Sequence, residues 1–305
     1  MSSGARDARA LLIGFALDRA LGDMPRAHPV ALFGALAGRL ERRTWAPRRS
    51  AGAAHLASLL ATTALLARAA RGGALRDGLL IWVTLGGRSL ERAARHMAGL
   101  LHAGDLAAAR LHARTLVGRQ TAELDCGELC RATIESVAEN SADALVGALL
   151  WGGLAGPAGA ALYRAANTLD AMIGHRCERY ERFGWAAARL DDLLGWPGAR
   201  LAALLAVALA PLAGGDVGGA WRVLRRDGAA HPSPNAGRVE AAYAGALGVR
   251  LGGANRYAGR SEVRPTLGEG RVPQIDDIDA AVRLCRLVGY SALAICVLLA
   301  LARDR

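Results

Sequence analysis

Three carboxylates recur at helical spacing near the middle of the chain. Glu135, Glu139 and Asp143 stand four residues apart, so on a continuous α-helix they share one face. Like charges at this spacing destabilise a helix unless a cation neutralises them. A solvated helix face is one interpretation, and coordination of a hard metal ion by carboxylate oxygens is the other. An uncharged segment begins at Ala144, and ionisable groups at a membrane boundary are usually functional, which favours the second interpretation.

Arginines alternate with asparagine and aspartate in the stretch that follows this uncharged segment. The members of this group are Arg164, Asn167, Asp170, Arg179, Arg189, Asp191 and Asp192. Guanidinium groups bind phosphates through paired hydrogen bonds, and carboxylates bind Mg²⁺. The pattern therefore indicates a site for a phosphorylated substrate and its metal ion. A network of interhelical ion pairs is the alternative interpretation.

A proline-bracketed loop contains a third group of polar residues, His231, Ser233 and Asn235. Histidine transfers protons near neutral pH, but a structural or simply exposed histidine is the alternative interpretation of this loop. The sequence has no Ser-His-Asp order and no nucleophile elbow, so a common hydrolase is not indicated. It lacks lysine, which excludes a P-loop, and none of its five cysteines forms a C-x-x-C pair that would indicate a zinc site.

The composition indicates which class of protein must position these residues. Of the 305 residues, 52% are hydrophobic and 21% are charged, and the mean hydropathy is +0.20, which excludes a disordered chain. All the cations are arginines, and the formal net charge is +11. A basic chain usually has nucleic acid or an anionic membrane surface as its partner. The apolar content favours the membrane, and the dispersed arginines without interleaved aromatic residues argue against nucleic acid.

Several apolar segments approach the length of about 20 residues that a membrane span requires. Residues 144–162 and 287–302 are uncharged throughout, and further candidates are 11–21, 55–67, 75–87 and 201–215. We therefore expect an all-α, polytopic integral membrane protein with about four to six membrane segments. The glycines inside 144–162 have a small-x-x-x-small spacing, which predicts close packing between helices.

The tract over residues 89–143 alternates apolar and polar positions at helical spacing. This pattern predicts an amphipathic helical layer rather than a span. Asp105 is the expected N-cap of a helix over 106–117, and Thr121 is the expected N-cap of a helix that ends at Glu139.

A second polar tract covers residues 216–283, is rich in Gly, Pro and Arg, and contains the His231 loop. We expect the two tracts to form helical and loop regions at the cytoplasmic face of a single membrane-embedded domain, 1–305. The arginine cluster within 39–49 is predicted to be cytoplasmic by the positive-inside rule.

The polar groups belong to a series of motifs that covers nearly the whole chain. In order, these are Asp18 with Gly22-Asp23 and His28-Pro29, Gly118-Arg119-Gln120-Thr121, Glu135-Ser136-Val137-Ala138-Glu139-Asn140 with Asp143, Tyr163-Arg164-Ala165 with Asn167-Thr168-Leu169-Asp170 and Met172, Phe183-Gly184-Trp185 with Arg189-Leu190-Asp191-Asp192, His231-Pro232-Ser233-Pro234-Asn235 with Glu240-Ala241 and Ala244-Gly245-Ala246-Leu247-Gly248, and Leu251-Gly252-Gly253 with Tyr257 and Gly259. With this series the chain resembles the membrane-bound cobalamin biosynthesis family of adenosylcobinamide-phosphate synthases, also called cobinamide synthases. It departs from the family pattern at Gln120, Ala144, His175 and Gly195, where the family usually has Asp, Gly, Tyr and Asn.

The resemblance implies a multi-pass enzyme of the cell inner membrane that acts as an ATP-dependent carbon-nitrogen ligase. Such an enzyme joins the f-propionate carboxylate of (adenosyl)cobyric acid to the amine of (R)-1-amino-2-propanol or its O-phosphate. ATP and Mg²⁺ are the expected co-substrate and metal, and an acyl phosphate is the expected intermediate. The expected partners are these substrates, the lipid bilayer and other enzymes that act on corrinoids, with no nucleic acid.

Applied to the matched positions, this chemistry assigns a role to each candidate residue. The catalytic candidates are Glu135, Glu139, Asp143 and Asp170. The candidates for substrate or phosphate binding are Arg119, Asn140, Arg164, Asn167, Arg179, Arg189, His231, Ser233 and Asn235. The metal candidates are Asp191 and Asp192. Two alternatives stay open: a non-catalytic membrane sensor of the same family, and a transporter, which inverted repeats with paired broken helices would support.

Overall fold

The computed structural model describes residues 2–24, 28–175, 177–257 and 260–304, without the side chains of 255–257 and 260–262. Gly259, one of the motif positions, lies outside the described residues. Within them, four helices are long and apolar enough to cross a membrane: Arg49–Ala70, Cys126–Ile173, Trp185–Ala213 and Ile275–Ala302. The predicted all-α polytopic membrane architecture is confirmed.

The described part of the chain is built almost entirely from helices. In chain order the α-helices are α1 (Ser3–Leu21), α2 (Pro29–Thr44), α3 (Arg49–Ala70), α4 (Ala74–Trp82), α5 (Gly87–His102), α6 (Leu106–Ala113), α7 (Cys126–Ser141), α8 (Gly147–Ile173), α9 (Trp185–Leu209), α10 (Val217–Asp227), α11 (Ala236–Leu247) and α12 (Ile275–Ala302). Two strands, β1 (Leu251–Tyr257) and β2 (Arg260–Leu267), pair antiparallel. The sequence patterns did not indicate this β-hairpin.

The chain packs as two compact units. The first comprises Met1–Arg88, Asp143–Gly198 and Ala292–Arg305, and the second comprises Ser89–Ala142 and Ala199–Ser291. The single domain over 1–305, the layer over 89–143 and the tract over 216–283 stay predictions.

In the first unit, apolar side chains of α2, α3, α8 and α9 meet in a common core. Its members include Ala37, Leu56, Leu59, Leu169, Ile173, Phe183 and Ala187. α4 has nine residues and is therefore about 14 Å long, too short for a hydrocarbon layer of about 30 Å. The predicted span over 75–87 is therefore wrong. Segment 11–21 belongs to α1, which contains the buried Asp7 and Asp18 and is not among the four candidate spans.

α8 is a helical hairpin, and this corrects the prediction of one uninterrupted span over 144–162. Gly156 has φ +71° and ψ −172° and precedes Pro157, so the helix breaks there. A Cβ built on Gly147 would collide with the ring of Tyr163, whereas in a straight helix these two residues would be about 24 Å apart. The arms 147–155 and 157–173 therefore run back along each other.

The tip of this hairpin is held by a network of charges around the buried Asp7. Pro157 has no N–H, so it cannot donate to the carbonyl of Gly153 one turn earlier. Arg303 Nη1 donates to that carbonyl instead, at 3.1 Å. The same guanidinium lies 3.2 Å from the carboxylate of Asp7, which also pairs with Arg71 at 2.8 Å. Asp7 is 1% exposed, and its carboxylate fills the space that a side chain at Gly156 would need.

The glycines inside the hairpin have two different functions: some allow close packing, and one forms the turn. Gly152 packs against Leu11 and Ile81, and Gly153 against the backbone of Cys296, so the predicted close packing is confirmed for these two. Gly156 instead supplies the left-handed φ of the turn, which other L-residues rarely adopt.

In the second unit, local capping sets the helix boundaries. Asp105 accepts a hydrogen bond from Ala108 N at 2.9 Å and caps α6, as predicted, although α6 ends at Ala113. Thr121 does not cap α7, because its hydroxyl donates to the carbonyl of Arg110 at 2.7 Å. Asp125 and Glu128 form a capping box at the start of α7, so the predicted start of this helix was wrong.

Candidate functional site

The acidic residues of the middle motif lie in two different helical elements. α7 carries Glu135 and Glu139, whereas Asp143 lies in a π-helical turn, Ala142–Val146. A π-helical turn inserts one extra residue and rotates the side chains that follow it. Glu135 and Glu139 belong to the second unit and Asp143 to the first. The condition of a continuous α-helix is therefore not met.

In the first unit, the α8 hairpin gathers residues from separate motifs. Because the helix reverses at Gly156, the start of the hairpin and the segment from Tyr163 onward lie at the same end. Tyr163 is buried and interacts electrostatically with Asp143 and Asp191. One uninterrupted span would have placed Asp143 and Tyr163 at opposite sides of the membrane.

Arg164 is the cation of this cluster. Its Nε donates to the carbonyl of Thr84 at 2.9 Å, and Nη1 donates to Asn167 Oδ1 at 3.4 Å. Asp143, Asp23 and Asp18 act on the guanidinium electrostatically. Charges that are removed from water need such partners. The structure therefore brings Asp143, from the acidic motif, near Arg164 and Asn167 of the arginine-rich group.

Asn167 connects Arg164 to a set of carboxylates on α8 and α9. Its Nδ2 donates to Asp191 Oδ1 at 3.2 Å, and Asp191 interacts electrostatically with Asp170 and Asp192. Among the described residues, no three His, Cys, Asp or Glu side chains are placed to hold a metal ion together. One or two carboxylates still suit Mg²⁺ that also binds phosphate oxygens.

Two predicted phosphate-binding arginines have other surroundings in the structure. Arg179 Nη2 lies 2.8 Å from Glu41 Oε1, and its guanidinium lies 4.8 Å from the centre of the Trp45 ring. It therefore fastens the segment after α8 to α2. Arg189 is exposed and lies 3.9 Å from Asp192, three residues further along the helix.

In the second unit, Glu135 is surrounded by donors. It pairs with Arg119 at 2.8 Å and with Arg131 at 3.2 Å, and its Oε1 accepts from Gly252 N at 2.8 Å. Arg131 also donates to the carbonyl of Gly252. The carboxylate therefore joins α7 to β1, and the β-hairpin is part of this arrangement.

Glu240 of α11 is a buried acid that the sequence reasoning did not select. It is 2% exposed. Burial raises the pKa of Glu240 well above its usual range, the charges of Glu135 and Glu139 raise it further, and Arg264 and Arg119 oppose the shift. This environment favours the neutral carboxylic acid. The only signal in the sequence was its place beside Ala241 in the matched region, because the burial arises from tertiary packing.

The proline-bracketed loop has hydrogen bonds within itself and contacts to Arg200 and Arg264. His231 Nδ1 accepts from Ser233 N at 3.0 Å, and Ser233 Oγ accepts from Ala236 N at 3.2 Å at the start of α11. Asn235 Oδ1 accepts from Arg200 Nη1 at 2.7 Å. His231 and Asn235 are buried, so these hydrogen bonds shape the turn that leads into α11.

In the second unit, a large cleft lies beside the Arg119-Glu135 ion pair. Its volume is about 810 Å³, which is within the range of small-molecule sites. The motif Gly118-Arg119-Gln120-Thr121 lines it, together with Arg114 and Glu123. The departure from the family pattern at Gln120 therefore falls in the wall of a cleft. Asn140, for which substrate binding stays a prediction, donates to the Ser136 carbonyl of its own helix at 2.9 Å.

Comparisons with known proteins identify the family to which the chain belongs. The family model described as CobD/Cbib protein matches residues 11–285. The chain is 49% identical over 299 residues to the cobalamin biosynthesis protein CobD of Mycobacterium tuberculosis (strain ATCC 25618 / H37Rv), which covers 96% of each chain. It is 46% identical over 287 residues to the protein of that name from Chromobacterium violaceum, with 90% of each covered. No solved structure matches the chain. The chain therefore belongs to the CobD/Cbib family of cobalamin biosynthesis proteins.

Proposed function

We propose that this membrane protein is an ATP-dependent carbon-nitrogen ligase of the cell inner membrane that amidates a corrinoid side chain. The proposed substrates are (adenosyl)cobyric acid and (R)-1-amino-2-propanol or its O-phosphate. The observation that carries the proposal is the cluster at the open end of the α8 hairpin. There, Asp143, Arg164, Asn167 and Asp191, from three separate family motifs, lie together.

The proposed reaction has two steps. A propionate oxygen attacks the γ-phosphorus of ATP, and ADP leaves, which gives an acyl phosphate. The amine then attacks the acyl carbon, loses a proton and expels inorganic phosphate. ATP is required because formation of an amide from a free carboxylate is unfavourable in water.

Each step requires charges that this cluster can supply. Mg²⁺ would be held by Asp170 and Asp191 together with phosphate oxygens, and would neutralise the phosphates. Arg164, oriented by Asn167, adds positive charge where phosphate charge develops. Asp143 accepts the proton that the attacking amine loses. Glu135 is saturated with donors, so we assign it to the architecture of the second unit.

Two neighbouring aspartates provide a matched test of this assignment. Asp191 accepts a hydrogen bond from Asn167, whereas Asp192 is half-exposed and faces Arg189. We expect Asp191→Asn to lower the rate of cobinamide formation by about 100-fold or more, and Asp192→Asn by less than about threefold. The measurement is mass spectrometry of products made by membranes supplied with both substrates, ATP and Mg²⁺. The removal of one charge from a group of acids should not destabilise the fold, and thermal unfolding of the purified variants checks this.

The results of this assay also separate the alternatives. Equal activity of the two variants would show that the cluster does not perform the chemistry. A wild-type protein that forms no product, beside an active relative, would favour the membrane sensor. A transporter would move corrinoid across sealed vesicles without altering it. The described residues show a broken helix at Gly156, but a single break is not the paired arrangement that a transporter requires.

A further inference from the structure

The helix α10 has an unusual outer surface for a segment in a polar tract. It begins at Val217, four residues after the candidate span Trp185–Ala213 ends. Its inner side, which includes Ala220 and Leu224, is buried, and Ala220 packs closely on Gly245 of α11. The other side is exposed to the surroundings of the protein.

The exposed side combines apolar and cationic residues. Trp221 is 44% exposed and Val217 is 42% exposed, and Leu212, at the end of the preceding span, is 62% exposed. Val217, Trp221 and Arg225 are four residues apart, so they form one stripe along the helix. The guanidinium of Arg225 lies 5.9 Å from the centre of the Trp221 ring.

The arginines of α10 differ in their partners. Arg226 pairs with Asp227 at 2.6 Å and also with Glu269. Arg222 and Arg225 are exposed, and within the described part of the chain neither has an acidic partner. Two cations next to exposed tryptophan and valine thus face outward, where an anionic and partly apolar partner would satisfy both.

We propose that α10 lies in the membrane interface and binds anionic phospholipid headgroups. Lipid is the expected partner because α10 follows a candidate span directly. It starts too soon after Ala213 to lie far from the membrane surface. Tryptophan is enriched at the level of the headgroups. An amphipathic helix with an aromatic residue and cations is typical of segments that lie flat in this interface. Arg222 and Arg225 would contact lipid phosphates, and Trp221 and Val217 the acyl boundary.

The test uses the full chain labelled with 5-fluorotryptophan and reconstituted in lipid nanodiscs. The chain has six tryptophans, and the ¹⁹F resonance of Trp221 is identified by its loss in Trp221→Phe. Spin-labelled lipids with the label just below the headgroup report contact with lipid, and a water-soluble gadolinium chelate reports contact with water. We expect the Trp221 resonance to broaden with the spin-labelled lipids and much less with the chelate. The Nε1 of Trp151 donates to the Leu194 carbonyl, and the Trp151 resonance is the internal reference with which the broadening of the Trp221 resonance is compared.

Lipid charge is tested with a matched pair of arginine variants. Spin-labelled phosphatidylglycerol should broaden the Trp221 resonance at least twice as much as spin-labelled phosphatidylcholine at equal mole fraction. We expect this preference to disappear in Arg222→Gln/Arg225→Gln and to persist in Arg226→Gln. Broadening by the chelate alone would place α10 in water and overturn the proposal. No broadening by either probe would mean that protein covers the helix, and would also overturn the proposal. Equal broadening by the two lipids would show that α10 does not prefer anionic headgroups.

Discussion

At the scale of single residues, Glu240 shows how packing changes an ordinary side chain. Burial raises the pKa of Glu240 in the folded protein, so the folded state retains a proton that the unfolded chain releases near pH 4.5. Below that pH, Glu240 therefore makes its full stabilising contribution to the free energy of unfolding. This contribution is lost as the pH rises through the pKa of Glu240 in the folded protein.

We predict that Glu240→Gln removes this pH dependence. Glutamine has the same shape and stays neutral, so the variant should resemble wild type at pH 5 and should unfold at a higher temperature than wild type at pH 9. The measurement is thermal unfolding of both proteins in detergent across this range. If the difference between them is the same at every pH, the pKa of Glu240 is not raised in the folded protein.

At the scale of elements, the α8 hairpin depends on the contacts at its tip. We predict that Arg303→Gln lowers the free energy of unfolding by about 1–3 kcal/mol. The variant loses a charged hydrogen bond to the Gly153 carbonyl and an ion pair with Asp7, and the range allows for the partial exposure of Arg303. Apparent unfolding temperatures in detergent measure the effect.

The control for this prediction is Arg68→Gln. Arg68 is exposed, on α3, and carries the same charge, but no ion pair is observed for it among the described residues. Its replacement should change the unfolding temperature little. Equal effects of the two variants would mean that loss of a positive charge, rather than the contact at the hairpin tip, determines stability.

Local signals explain which elements could be predicted from the sequence. Asp105 caps α6 as expected, because a capping side chain acts on its own helix. The Asp125-Glu128 capping box follows the same rule, because its two side chains also act on their own helix. The Gly156-Pro157 dipeptide also marks a break. The uncharged run over 144–162 nevertheless predicts one span, because apolar content alone does not show where a helix breaks.

The candidate site was predictable in its members but not in its grouping. The motifs named Arg164, Asn167 and Asp191, and the structure joins them by hydrogen bonds. The division of Glu135 from Asp143, and the partners of Arg179 and Glu135, follow from the π-helical turn and from tertiary packing. Such contacts between distant residues leave no trace in local spacing.

At the scale of the whole molecule, composition predicts the class of membrane protein and motif order predicts the family. An apolar, arginine-rich chain with four candidate spans belongs to the CobD/Cbib family. The two compact units each contain one group of family motifs, with the α8 hairpin cluster in the first and the Arg119-Glu135 cluster in the second. We propose that the protein activates a carboxylate with ATP and transfers the acyl group to an amine.

An oxygen label follows both steps of the proposed reaction. Wild-type protein in liposomes is supplied with cobyric acid carrying ¹⁸O in the f-propionate carboxylate, together with aminopropanol phosphate, ATP and Mg²⁺. We predict that each new amide is accompanied by one ADP and one inorganic phosphate that contains a single ¹⁸O. Label in AMP, or product formed without consumption of ATP, would rule out an acyl phosphate made from ATP.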